Sequence, residues 1–292
     1  MILVTGSTGG LGKATIDALL KKIPASEIIA LARDVDKASD LSDKGVEVRQ
    51  GDYLDYDALV KAFEGVEKLV LISAPTFTDR EAQHFNAIRA AKAAGVKHLY
   101  YTGMQTKKNS DWIIPMATES DSNTVAAIKE SGITYTYVRN TVYADSLGFL
   151  LGTDVLTAGV SFPSGEGRIT YATRTDLGEG LANLVIAGGY DNQEVTLSNT
   201  ESWSSEDIAA ILSEIKGAPV PFHNGTREVY VAHLESIGFP FKYADFGADW
   251  AEAKKAGEFE NVDPTLKNLL GRTPTTLRDY LKTAYPAEPI SN

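Results

Sequence analysis

The sequence predicts an α/β protein with a doubly wound parallel sheet and a second, smaller C-terminal domain. Three observations carry the prediction. Short Val- and Ile-rich runs alternate with helix-patterned stretches along the first 140 residues, the order that builds a parallel sheet covered on both faces. Residues 68–73 (KLVLIS) run without internal polar interruption, as a strand buried on both sides requires. Glycines at 6, 9 and 12 stand between the first apolar run and the first helical pattern.

Strands are expected at 2–5, 27–32, 46–50, 68–73, 98–102 and 135–139. Helices are expected at 11–22, 35–44, 55–64, 80–94 and 122–131. Asp55 suits an N-cap, and Gly95 suits the residue that ends a helix in a left-handed turn. Past residue 141 the rhythm loosens. A loop at 161–167 precedes a helix at 175–186 with Thr175 as its N-cap, and a strand at 194–197 is placed to rejoin the sheet. Ser204 then caps a helix at 205–216, with Asp207 in the capping-box position. Residues 1–145, with the returning strand near 194–198, are read as one domain, and 146–292 mainly as a smaller α/β domain covering the strand ends. The aromatics between Phe239 and Trp250 are assigned to the core of that domain rather than to a substrate box. Residues 286–292 read as a loose tail.

Composition narrows the function. The chain has 292 residues, of which 43% are hydrophobic and 23% charged, enough to bury a large core. It has no cysteine, so disulfides and thiolate metal sites are excluded. His84, His98, His223 and His233 share no ligand spacing, so no metal is expected. A formal charge of −11 without a basic stripe argues against nucleic acid. No apolar run is long enough for a membrane span, and the first residues lack the basic start of a signal peptide. The expectation is a cytoplasmic protein whose partners are a small molecule and, at most, a second copy of itself.

The glycine turn suggests which small molecule. It reads Thr5-Gly6-Ser7-Thr8-Gly9-Gly10-Leu11-Gly12. In a Rossmann-type unit the first glycine permits the turn, the second lets backbone approach a pyrophosphate, and the third packs helix on sheet. The phosphates then rest on free N–H groups at the helix start. At the end of the second strand an acid would favour NADH, but Arg33 stands there and can pair with the 2′-phosphate of NADP(H). Asp34 follows directly, and a one-residue shift would present an acid instead. Asp52 and Tyr53 after the third strand are candidates for the adenine end, with a simple turn acid as the alternative for Asp52. Ser73, Ala74 and Pro75 after the fourth strand, and Thr102 and Gly103 after the fifth, are candidates for the cofactor's middle.

With these motifs in view, the chain resembles the NmrA-like atypical short-chain dehydrogenases, and within them the bacterial NADPH-dependent quinone oxidoreductases and triphenylmethane-dye reductases. The resemblance rests on the glycine turn, Ala32-Arg33-Asp34, residues 45–53, Ala93-Ala94-Gly95-Val96-Lys97-His98, and Tyr137-Val138-Arg139-Asn140 with Tyr143. It implies NADPH in the glycine loop, Arg33 at the 2′-phosphate and a substrate cleft between the domains. Ordinary members of the wider group carry a Tyr-x-x-x-Lys pair after the fifth strand. No tyrosine lies between Tyr101 and Tyr135 here. An acceptor that stabilises its own charge, such as a quinone or a cationic dye, needs mainly positioning. Asn140 and Tyr143, which follow the sixth strand, and Trp112, in a lid-like segment at 104–117, are the candidates for shaping such a site. Tyr143 is the candidate proton donor. The competing reading is a non-catalytic NADP-sensing regulatory protein.

Overall fold

The computed structural model describes residues 1–74, 79–114, 117–151, 154–236 and 238–286. Its strands are β1 (Ile2–Val4), β2 (Ile28–Ala32), β3 (Glu47–Gln50), β4 (Lys68–Ile72), β5 (His98–Met104), β6 (Thr134–Asn140), β7 (Val142–Tyr143), β8 (Val160–Ser161), β9 (Arg168–Ala172), β10 (Gln193–Leu197), β11 (Ser202–Ser204) and β12 (Phe222–His223). Seven of them form one parallel sheet in the order β3-β2-β1-β4-β5-β6-β10. The expected return of a late strand is therefore met by β10 beside β6. Strand order reverses between β1 and β4, and a crevice opens beyond the carboxyl ends of strands at such a point. Two small sheets, β11-β9-β7 and β12-β8, make up the rest.

The helices are α1 (Gly10–Leu19), α2 (Ser39–Ser42), α3 (Tyr56–Ala62), α4 (Arg80–Ala93), α5 (Thr118–Ser131), α6 (Leu147–Leu151), α7 (Val155–Ala158), α8 (Arg174–Ala187), α9 (Ser205–Lys216), α10 (Arg227–Ser236), α11 (Phe241–Lys255), α12 (Thr265–Leu270) and α13 (Leu277–Ala284). Alternate residues of the strands feed two cores. Val4, Ala30, Val70 and Tyr100 meet α1, α8 and α12 on one face. Leu3, Ile29, Leu69 and Tyr101 meet α3, α4 and α5 on the other. Thus β10, α8 and α12, all beyond residue 145, pack with the larger unit. A third core joins β7 and β9 to α9, α11 and α13, and a fourth lies between α10 and α11.

Several boundaries differ from the sequence reading for identifiable reasons. Asp55 caps α3 and Ser204 with Asp207 forms the capping box of α9, both as read. The cap of α8 is Thr173 and not Thr175, because Thr173 Oγ1 accepts the Asp176 N–H at 3.1 Å. Residues 35–44 form only a 3-10 turn and one α-turn, since the Asp34 carboxylate caps that turn through Asp36 N–H. The helix expected from 122 starts at Thr118, its first turn holding Glu119 and Asp121, where acids stabilise a helix start.

Lys254 is buried in the second half of the molecule, with 1% exposure. Its Nζ donates to Ser205 Oγ at 2.7 Å, and Ser205 in turn meets Ser164 at 3.0 Å. Burial, helped by the Arg168 charge and opposed by Asp207, pulls the amine down to about 7. Unfolded, the side chain stays protonated up to its ordinary 10.5, so the unfolded chain binds more protons between those values. Stability should therefore rise with pH across that window, by at most about 1.4 kcal/mol per pH unit from this group. Lys254→Met should gain most over the wild type below pH 7 and lose that advantage toward pH 10. Denaturant unfolding at a series of pH values measures this, and parallel curves for the two proteins would contradict it.

Candidate functional site

The glycine turn is built around backbone. Thr5 continues from β1 and bonds through N–H to the Val70 carbonyl at 3.0 Å. Gly6 then takes φ +58°, and the Gly9 N–H closes the turn on the Gly6 carbonyl at 2.9 Å. A Cβ on Gly12 would stand 2.2 Å from that same carbonyl, so α1 can pack here only on a glycine. The buried Ser7 hydroxyl donates to the Leu31 carbonyl at 2.8 Å and ties the loop to β2. Thr8, Gly9 and Gly10 are exposed, and Leu11 is buried. Helix α1 has neither a side-chain cap nor an acid in its first turn, which leaves its first amides for an anion.

Arg33 is exposed at the end of β2. Asp34 is engaged elsewhere, capping the following turn and standing 3.8 Å from Lys37. Arg33, Gln50, Gly51 and Asp52 line one cleft, but Asp52 also accepts the Leu54 N–H at 2.9 Å, as a turn acid does. The Tyr53 hydroxyl turns inward to Thr5 Oγ1 and to the Ile72 carbonyl, the latter at 2.8 Å. Tyr53 thus braces β1 against β4, and burial pushes its phenol up.

Beyond β4 and β5 the backbone is held from behind. Thr102 Oγ1 accepts the Ser73 N–H at 3.1 Å, and His84 Nε2 accepts the Ala74 N–H at 2.9 Å. Pro75 lies outside the described residues. The His84 ring is neutral, its pKa pulled down to about 3 by burial and by Arg80. Nearby, the Asp121 carboxylate accepts from Arg80 Nη2 (2.6 Å), the Tyr101 hydroxyl (2.7 Å) and the Met104 N–H (2.7 Å). Arg80 also donates to the Ala74 carbonyl at 3.0 Å. The sequence reading missed this group. A helix begun at 122 leaves Asp121 in a loop, whereas a capping acid counted into the first turn would have placed it on α5.

A cleft of about 790 Å³ opens beside these residues. Ser73, Gly103, Asn140 and Tyr143 line it from the sheet side. From the other side come Phe162, Tyr230, Phe239, Tyr243, Phe246 and Trp250. Of the downstream aromatics assigned to a core, Phe246 and Trp250 do pack against one, and together with Phe239 and Tyr243 they also line the cleft. Trp112 does not line the cleft among the described residues. Its side chain is 42% exposed, while Met104 and Ala117 at the two ends of its segment do line the cleft and Ser110 ties the segment to Glu258 at 2.7 Å.

Asn140 and Tyr143 do meet at the cleft. Asn140 is 3% exposed, and neither polar atom of its amide has a hydrogen-bond partner of normal geometry. The buried Trp250 indole N–H also lacks one. Tyr143 carries the Arg174 guanidinium over its ring, 4.5 Å from the centroid. Burial pushes the Tyr143 phenol up, while Asn140 and the Arg174 charge pull it back. Arg80 and Asp121 are the charged side chains among the described lining residues, and they neutralise each other.

Comparison with known proteins agrees with this architecture. The NmrA-like family model matches residues 1–281. Quinone oxidoreductase 2 of Escherichia coli (strain K12) is 37% identical over 282 residues, 96% of each chain. Among solved structures, an NADPH-dependent quinone oxidoreductase from Escherichia coli complexed with NADPH matches with a TM-score of 0.92 at 34% identity, over 98% of this chain and 100% of that one. The Citrobacter sp. triphenylmethane reductase complexed with NADP(H) matches with a TM-score of 0.89 at 37% identity, over 97% and 100% of the two chains.

The Asn140 amide, with only the Tyr143 hydroxyl beside it, keeps unfilled hydrogen-bonding capacity in the free protein, at a cost of about 1–3 kcal/mol. Asn140→Leu keeps the shape and removes that cost. It should raise the melting temperature of the nucleotide-free protein by roughly 2–4 °C per kcal/mol recovered. Differential scanning calorimetry decides it, and a lower melting temperature would mean the amide is satisfied inside the protein.

Proposed function

This chain belongs to the NmrA-like family, and on that footing we propose that it is an NADPH-dependent reductase passing hydride to a quinone or a similar planar conjugated acceptor. The observation that carries the proposal is the cleft: an aromatic wall facing the carboxyl ends of the strands, next to the glycine turn, with no net charge among its described lining residues. A flat apolar molecule fits such a wall by stacking. The relatives cited above, a quinone reductase and a dye reductase, support the same substrate class.

The residues present fit NADPH. The uncapped amides at the start of α1 can take the pyrophosphate, and Arg33, free of Asp34, can take the 2′-phosphate. When bound, the nicotinamide supplies the hydride. The chain's own part is orientation. Asn140 offers an amide donor and acceptor at the end of β6, where a carboxamide would satisfy both and an acceptor carbonyl the donor alone. The aromatic wall holds the acceptor flat and excludes water. Tyr143 keeps its proton at neutral pH, so its hydroxyl can protonate a reduced acceptor. Asp121 accepts from three donors, and the helix that carries it holds no tyrosine. A quinone spreads the charge it receives, so positioning can supply most of the effect. The aromatic cleft, with room for a second molecule beside the nucleotide, favours this reading over a purely sensing protein. The reading sets the enzyme in the cytoplasm, as monomer or homodimer, without nucleic-acid or membrane partners. Among the described residues no helix is long and apolar enough to cross a membrane.

Two measurements test the proposal. Steady-state NADPH oxidation with a panel of benzoquinones and naphthoquinones should show turnover above background, and inactivity with every acceptor would reject it. In fluorescence titrations Arg33→Ala should weaken NADPH by about 10- to 100-fold, the scale of one charge-assisted phosphate contact, and leave NADH unchanged. Equal wild-type affinities for both nucleotides would overturn the NADPH preference.

A further inference from the structure

Arg174 opens α8, far along the chain from the glycine turn, yet its side chain crosses the start of α1. A Cβ placed on Gly10 would stand 2.7 Å from Arg174 Cδ and 3.5 Å from its Nε. The stem therefore lies along the residue whose amide opens the helix. The guanidinium continues over the Tyr143 ring and donates to Ser146 Oγ at 3.2 Å. The neighbouring Asp145 carboxylate is turned to the Arg174 backbone N–H at 2.7 Å. No carboxylate among the described residues forms an ion pair with the guanidinium, in a chain with a formal charge of −11. Ser146 and Tyr143 both line the large cleft, so this cation spans the edge between the glycine turn and that cleft.

We propose that Arg174 is the side-chain counter-ion of the cofactor's diphosphate, reaching the glycine loop from the first turn of α8. Backbone amides alone leave a doubly charged diphosphate incompletely balanced, and a guanidinium is the group that matches phosphate oxygens in a fork. Its present partners, an aromatic face and a hydroxyl, are weak enough to be exchanged for a phosphate. The position also explains Gly10. A side chain there would occupy the path by which the arginine reaches the seat. Arg33 and Arg174 then divide the work, one choosing between the two nucleotides and the other holding the part they share.

The inference rests on nucleotide binding in the glycine loop, but its test is independent of any acceptor. Arg174→Ala and Arg174→Lys are titrated with NADPH, NADH and ADP-ribose by calorimetry, with folding checked by circular dichroism. Arg174→Ala should weaken all three by about 10- to 100-fold to a similar extent, with partial recovery in Arg174→Lys. ADP-ribose keeps the diphosphate and lacks the nicotinamide. A loss confined to NADPH and NADH would assign the arginine to Tyr143 and the nicotinamide end, and a loss confined to NADPH would assign it to the 2′-phosphate. Either result, or unchanged affinities in both variants, overturns the proposal. A wild-type protein that binds none of the three would overturn the NADPH reading together with this one.

Discussion

The site depends on one close approach of backbone to backbone. Helix α1 packs against the turn before it so tightly that the Gly6 carbonyl occupies the space any side chain at position 12 would need. That contact fixes where the helix begins, and nothing in its own first turn neutralises the beginning. An uncapped helix start is an unfavourable arrangement in a free protein, because its amides lack partners. It is favourable only when an anion arrives. The helix start also lies beside β1 and β4, where strand order reverses, so the open amides face the crevice that a parallel sheet leaves there.

The charged pair beneath the cleft has a different role from the one its position suggests. The helix after the fifth strand is where an ordinary short-chain dehydrogenase keeps its proton donor. Here Asp121, saturated by a guanidinium, a phenol and a backbone amide, joins α4, α5 and β5 into one unit. Each donor occupies a lone pair of the carboxylate. The pair therefore costs the cleft little in polarity while fixing the backbone at Gly103 and Ala74. Such a floor is rigid and electrically quiet, and it suits an acceptor recognised by shape.

What the sequence disclosed follows from how local each feature is. The alternation of strands and helices and the caps Asp55 and Ser204 depend on residues close together, and their patterns are strong enough to read. The glycine turn is local too, so its exposed amides were foreseeable. Thr173, by contrast, caps α8 two residues before the expected Thr175, and both threonines have the right chemistry, so spacing could not choose. Residues that meet through the fold were invisible. Arg80 reaches Asp121 across two elements, and Arg174 reaches Gly10 from the far side of the chain. Phe246 and Trp250 of α11 serve a core and the cleft wall at once, and since the two share one composition the sequence shows only the first. Trp112 was expected over the cleft, but of its segment Met104 and Ala117 line it and Trp112 does not.

The chemistry of the wall also bears on selectivity. An apolar pocket discriminates weakly between molecules that differ by a methylene, whereas a site built on several directed hydrogen bonds rejects analogues strongly. The buried polar atoms without a protein partner of normal geometry on the described lining residues are Arg80 Nε, the Asn140 amide and the Trp250 indole N–H. Stacking aromatics accept any flat face of suitable size. For the proposed reduction this means that geometry at Asn140 would fix how an acceptor meets the nicotinamide, while the rest of the molecule is held by area. A cleft of this kind favours breadth across planar acceptors over recognition of one substituent pattern, and that breadth follows from the scarcity of polar groups in its wall.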